Sequence, residues 1–179
     1  MADRFFNEQN FSGEKMNEPW PTVPDLYGWL YLDRRGTWFI KGEQVKHLGM
    51  IRFLKDNYRE DKTGEWYIQN GPQKAFVTLE YTPFLLRLAL DGTLTTHTDK
   101  KIDKLTGIVL DDEGNILLGS AIGAGLLDDR DLYLFSEMVN IDISTATHLK
   151  WNEEVLPVKR VPRSKIPTHC NFSQCIAKP

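Results

Sequence analysis

Aromatic and basic residues that could hold an anionic ring compound occur in two neighbouring parts of the chain. Trp38 and Tyr67 could stack on a flat ring, while Lys41 and Lys74 could neutralise negative charge. Trp66 cannot join Tyr67 in one cleft, because successive residues of a strand point to opposite faces. Core aromatics with surface lysines are the competing and more common arrangement. With that alternative open, we predict Trp38, Lys41, Tyr67 and Lys74 as ligand-binding residues.

A glycine-rich segment, residues 119–125, precedes a predicted helix and could cradle a phosphate, because helix N-termini attract anions. The P-loop pattern, however, requires Gly-Lys-Ser/Thr at its end, and here Gly125 is followed by Leu126. Asp128 and Asp129 would also repel phosphate from the first turn of the helix. We therefore interpret this segment as a structural loop with a helix cap.

The histidines, cysteines and carboxylates form no complete metal or catalytic motif. The four histidines lack a ligand spacing such as His-x-x-x-His, and His169, Cys170 and Cys175 supply three donors where a structural zinc site needs four. The carboxylates at 111–113 and 128–129 lie in predicted turns and helix starts, where such groups are usually solvated caps rather than an acid–base pair. We predict no metal, no cofactor and no catalytic residue, so an enzyme is the least favoured class.

Composition and charge exclude several further classes of protein. The 179 residues include 41% apolar and 11% aromatic residues, which need a core to cover them. A net charge of −3 gives no general attraction to nucleic acid or anionic membranes. No apolar run reaches the length of a membrane span or a signal peptide. We expect a cytoplasmic protein without membrane contact. The basic stretch 159–165 is a solvated edge, or it contacts nucleic acid or an acidic partner.

Hydrophobic periodicity predicts several short strands and two helices. Apolar residues recur every three or four positions in two segments, which predicts helices over 44–57 and 128–140. The connections between the strands are too short for crossover helices, which favours antiparallel sheets. The predicted strands cover residues 26–32, 37–41, 65–69, 74–80, 84–90 and 93–98.

One turn motif occurs twice, at an offset of 78 positions. Leu32-Asp33-Arg34-Arg35-Gly36 resembles Leu110-Asp111-Asp112-Glu113-Gly114, and each is followed by an apolar strand, a glycine-containing loop and an amphipathic helix. This order is consistent with a duplication or with chance repetition of a common hairpin. We predict an α+β fold with two related antiparallel β-sheet halves, each with one packed helix. The predicted parts are a flexible arm (1–24), an N-terminal half (25–90), a C-terminal half (91–156) and an extended tail (157–179).

Within this framework, several short motifs form a recognisable series: Arg35-Gly36-Thr37-Trp38-Phe39, Gly42, Phe53-Leu54, Tyr67, Pro72, Lys74, Val77 and Thr82-Pro83-Phe84. This series resembles the bacterial domain-of-unknown-function family DUF1285. The resemblance covers residues 28–139, and Thr98-Asp99 stands where the family has Thr-Asn. It implies a duplicated core, a C-terminal half like a pleckstrin-homology domain, and a small-molecule site between the halves with a role in signalling. It supplies no catalytic residues.

The leading functional hypothesis is non-enzymatic binding of a small anionic ligand, such as a nucleotide, between the two halves, with a signalling role. The four predicted aromatic and basic residues would form the site. The alternative is a protein–protein interaction module that uses a sheet edge or the Pro-rich tail beginning at Pro157.

Overall fold

A computed structural model of the chain describes residues 20–140 and 142–174, which divide into two units. The predicted arm lies largely outside these residues, as does Cys175. In the described ranges, no helix is long and apolar enough to cross a membrane. Unit 1 comprises residues 20–33, 37–81 and 173–174, and unit 2 comprises residues 34–36, 82–140 and 142–172.

Unit 1 contains a six-stranded sheet and one helix. Its elements are β1 (Asp25–Leu32), β2 (Trp38–Ile40), β3 (Glu43–Gln44), α1 (Leu48–Asn57), β4 (Tyr58–Glu60), β5 (Trp66–Asn70) and β6 (Gln73–Leu79). The strand order is β3-β2-β1-β6-β5-β4. Strand β1 pairs antiparallel with β2 and parallel with β6, and α1 contacts β5.

The core of unit 1 is formed by buried side chains of its two central strands, β1 and β6. Leu26, Leu30 and Leu32 of β1 are buried and stand opposite buried residues of β6. The register shifts between Leu26 and Leu30, where Gly28 has a φ of +72°. A residue with a side chain rarely adopts this conformation, so glycine allows the bulge that keeps both leucines in the core.

Helix α1 begins four residues later than the periodicity predicted. Glu43 and Gln44 form the short strand β3, so they are not available to the helix. His47 caps the helix instead, since its Nδ1 accepts a hydrogen bond from the Met50 N–H at 3.2 Å. Leu48, which fits the apolar period, is 81% exposed. The predicted start at residue 44 was therefore wrong.

Unit 2 contains an eight-stranded sheet, two α-helices and two 3₁₀ turns. Its strands are β7 (Phe84–Leu88), β8 (Leu94–Thr96), β9 (Lys101–Ile102), β10 (Leu105–Leu110), β11 (Ile116–Ser120), β12 (Gly123–Leu127), β13 (His148–Trp151) and β14 (Glu154–Arg160). Its helices are α2 (Leu132–Val139) and α3 (Ile166–His169), preceded by 3₁₀ turns at Asp129–Asp131 and Arg163–Lys165. The strand order is β13-β14-β10-β11-β12-β7-β8-β9.

The segment treated as an extended tail contributes to the sheet of unit 2. Residues 157–160 belong to β14, which pairs parallel with β10 and antiparallel with β13. After Pro162, the chain forms the second 3₁₀ turn and α3, whose Ile166 is fully buried. The Pro-rich segment is therefore structural within unit 2.

The α+β class with two β-sheet halves is confirmed, but the sheets are mixed rather than purely antiparallel. Three pairs are parallel: β1 with β6, β10 with β14, and β7 with β12. Each joins strands that are far apart in the sequence. Connection lengths between successive strands indicate only local pairings, so they could not predict these three.

The internal repeat predicted from the turn motif has a counterpart in the topology. β1 and β10 each pair antiparallel with the next strand and parallel with the last strand of their unit. In both turns the aspartate carboxylate accepts from a backbone N–H four residues later: Thr37 to Asp33 at 2.7 Å, and Asn115 to Asp111 at 2.8 Å. This shared pairing and turn chemistry supports a duplication.

We expect replacement of Gly125 by alanine to destabilise unit 2 by about 1–3 kcal/mol. A Cβ at Gly125 would lie 2.6 Å from Leu86 Cγ, so the leucine or the backbone would have to move. Gly107→Ala is the matched control, because a Cβ there would be no closer than 3.7 Å to Pro157. Urea unfolding measures both variants, and equal stabilities would contradict this account of the packing.

Candidate functional site

The structure places Trp38, one of the predicted ligand-binding residues, in the core of unit 1. Its side chain is 2% exposed, and its ring meets the ring of Tyr58 edge-on at a centroid distance of 5.2 Å. Tyr58 in turn packs against Trp66 at 4.6 Å. The Trp38 ring therefore packs in the core of unit 1 and is covered from solvent.

Tyr67 and Lys74, two further predicted residues, are in contact on neighbouring strands. The Lys74 Nζ lies 4.9 Å from the centroid of the Tyr67 ring, which is a cation–π distance. Tyr67 also packs on Phe76 at 5.8 Å, and Phe76 stacks flat on Tyr27 at 4.3 Å. This cluster combines one cation with three rings, but the lysine already covers the tyrosine.

Lys41 contacts a different ring from those predicted to share its site. Its Nζ lies 4.5 Å from the centroid of Trp29, and Trp29 meets Trp20 edge-on at 5.4 Å. Of the four predicted residues, Tyr67 and Lys74 are thus in contact, Trp38 packs in the core, and Lys41 lies over another aromatic side chain.

A pocket of about 270 Å³ opens on one face of the sheet of unit 2. Its floor is formed by Gly107 of β10, Gly119 of β11 and Ala124 of β12, which stand opposite one another in register. Pro157 of β14 lies beside Gly107. Residues without large side chains on three adjacent strands leave a depression in the sheet, and this depression is the pocket.

The polar groups of the pocket are cationic or neutral. Among the thirteen residues that line it are Lys159 and His169, and none is an aspartate or glutamate. Lys159 is exposed and stands opposite Val109 in register. Thr106 contributes a hydroxyl that leans over Gly119, since a Cβ built on Gly119 would lie 2.8 Å from the Thr106 Oγ1. The electrostatics of the pocket favour an anion.

Lys159 differs from nearby lysines because its ammonium forms no ion pair with a carboxylate of the described residues. Lys104 pairs with Glu154 at 2.6 Å, and Lys150 pairs with Glu153 at 3.2 Å. Among the described residues, therefore, no carboxylate neutralises the charge of Lys159.

His169 and Cys170, which sequence analysis weighed as metal donors, also line the pocket. Burial raises the pKa of the Cys170 thiol, so the thiolate that acts as nucleophile or metal ligand is disfavoured. Within the described part of the chain, no group of three His, Cys, Asp or Glu residues is arranged to hold a metal ion.

The glycine-rich segment 119–125 forms most of a hairpin rather than an open loop. It ends β11, turns at Ala121–Ile122 and begins β12, with the Ser120 hydroxyl donating to the Gly123 carbonyl at 2.9 Å. Asp128 caps the following 3₁₀ turn, as predicted for a helix cap. Sequence reasoning weighed these glycines for phosphate and preferred a structural loop. It did not bring Gly107, Pro157 and Lys159 together, because their proximity depends on pairing over some fifty residues.

The family of the chain follows from a comparison of sequences. The family model DUF2944, described as "Protein of unknown function (DUF2946)", matches residues 14–176. The chain belongs to this family. No curated protein matches the sequence significantly.

Solved structures share the fold of the chain. A DUF1285 family protein from Silicibacter pomeroyi DSS-3 has a TM-score of 0.56 and 17% identity, over 80% of this chain and 88% of that one. A DUF1285 family protein from Shewanella baltica OS155 has a TM-score of 0.50 and 16% identity, over 66% of this chain and 96% of that one. The predicted resemblance to DUF1285 is thereby confirmed for the fold.

Proposed function

We propose that the protein binds a small anionic ligand, without catalysis, in the pocket of unit 2. The observation that carries this proposal is a concave site that is lined by Lys159 and the His169 imidazole and by no carboxylate. Binding sites are usually concave, mainly apolar and equipped with a few convergent polar groups, and this pocket has that composition. A protein that binds a ligand without converting it can act as a sensor, so we propose a signalling role in the cytoplasm.

Lys159 is the main anchor in this proposal. It provides a compact charge that attracts a carboxylate or phosphate, although it lacks the two-pronged geometry of arginine. The Thr106 hydroxyl can donate a further hydrogen bond from the side of the pocket above Gly119. A group that carries one negative charge would then be held by one ammonium and one or two further hydrogen-bond donors.

Two features argue against chemistry in the pocket. A general acid–base mechanism usually pairs two titratable groups, and the lining contains no carboxylate to partner His169. Covalent catalysis requires an activated nucleophile, whereas burial raises the pKa of the Cys170 thiol. Binding is therefore the function that this pocket supports best.

The test is a thermal-shift screen with inorganic phosphate, small carboxylates and nucleotides, followed by titration calorimetry of whatever binds. A ligand at about one hundred times its Kd stabilises the folded protein by about 2.7 kcal/mol, which raises the melting temperature measurably. We expect Lys159→Met to weaken binding about ten- to a hundredfold, since a hydrogen bond to a charged group contributes about 1.5–3 kcal/mol.

Two lysine variants locate the ligand. Lys150→Met removes an exposed lysine of the neighbouring strand β13 and should leave binding unchanged. Lys74→Met removes the cation that contacts Tyr67. If Lys74→Met abolishes binding while Lys159→Met does not, the ligand binds at the residues predicted from the sequence, and the pocket of unit 2 is not the site.

The alternative function, a protein-interaction module, stays a prediction. Its test cannot be deletion of the Pro-rich segment, because that segment includes β14, an internal strand of the sheet. A pull-down with the whole chain is the appropriate experiment.

A further inference from the structure

We draw no further inference here: the strongest candidate, the face of the unit 1 sheet that carries Tyr31, Phe39 and the stacked rings of Tyr27 and Phe76, carries no proposal because nothing in the structure shows what covers it.

Discussion

Replacement of Trp38 by alanine is expected to lower the free energy of unfolding by about 3–5 kcal/mol, the usual effect of deleting a large buried aromatic side chain. Trp38 stands opposite Leu32 on β1, and its ring contacts Tyr58 at the start of β4. Its loss would leave a cavity between these strands. Urea unfolding followed by far-UV circular dichroism measures the change.

Lys41→Met is the control for this variant. Lys41 is exposed, and a cation–π contact at an exposed site contributes about 0.5–1 kcal/mol, so the expected loss is small. A stable Trp38→Ala protein with weakened binding of an anionic ligand would contradict our interpretation. That result would instead support the prediction from the sequence that the Trp38 ring stacks on a ligand.

The elements of this fold that could be predicted from the sequence are those that short-range patterns determine. The hairpins at Asp33 and Asp111 were predicted because an aspartate followed three residues later by glycine specifies a tight turn, and both carboxylates bond to the backbone as such turns require. The alternation of side chains along a strand also predicted that Trp66 and Tyr67 would not share one cleft. Trp66 packs on Tyr58, whereas Tyr67 packs on Phe76.

The start of α1 could not be predicted from periodicity, because periodicity does not distinguish a buried helical position from one in an adjoining turn. Val45 is buried and Leu48 is exposed, yet both fit the helical spacing. The cap is a histidine, which is uncommon at an N-cap compared with Ser, Thr, Asp or Asn. The sequence of this segment therefore predicted neither which of its apolar residues are buried nor which residue caps the helix.

The pocket of unit 2 could not be predicted because it depends on which strands pair. Gly107 is an isolated glycine in a strand pattern, a position that signals a bulge or a close approach. Only the register of β10 with β11 and β14 places it between Gly119 and Pro157. Lys159 was therefore interpreted as part of a solvated edge, whereas its strand runs parallel to β10 inside the sheet.

Replacement of Asp128 by asparagine is expected to destabilise unit 2 by about 1.5–3 kcal/mol at neutral pH, the range for hydrogen bonds to a charged group. The Asp128 side chain is 2% exposed, and its carboxylate accepts from the Arg130 Nη2 at 2.6 Å and the Arg130 Nε at 2.9 Å. It also lies 3.6 Å from the Arg87 Nε. An asparagine amide would turn donors toward these guanidinium groups and leave a buried polar group poorly satisfied.

Asp128 lies where several elements of unit 2 meet, so the loss of its carboxylate should destabilise more than the neighbouring turn. Its backbone N–H donates to the Leu86 carbonyl at 2.9 Å, and its side chain caps the 3₁₀ turn that leads into α2. Nearby, Asp131 accepts from the Leu88 N–H and the Arg87 Nε, each at 2.9 Å. Weakening this cluster loosens the connection between β7, the end of β12 and the start of α2.

The effect of Asp128→Asn should depend on pH in a defined direction. The hydrogen bond from the Arg130 guanidinium, against the opposing effect of burial, lowers the pKa of Asp128 from 3.8 to about 2. Because the folded-state pKa lies below the unfolded one, the carboxylate stabilises the protein fully above about pH 5, and this stabilisation is lost as the pH falls toward 2. The difference in stability between wild type and Asp128→Asn should therefore be constant from pH 7 to about 5 and shrink below 4.

Asp129→Asn is the control, since the neighbouring carboxylate is 53% exposed and an exposed ion pair contributes about 0–1 kcal/mol. Urea unfolding of wild type and both variants at several pH values between 2.5 and 7 gives the comparison. If the two variants lose the same stability, or if the loss in Asp128→Asn grows as the pH falls, the Arg130–Asp128–Arg87 cluster does not stabilise the fold in the way that its geometry indicates.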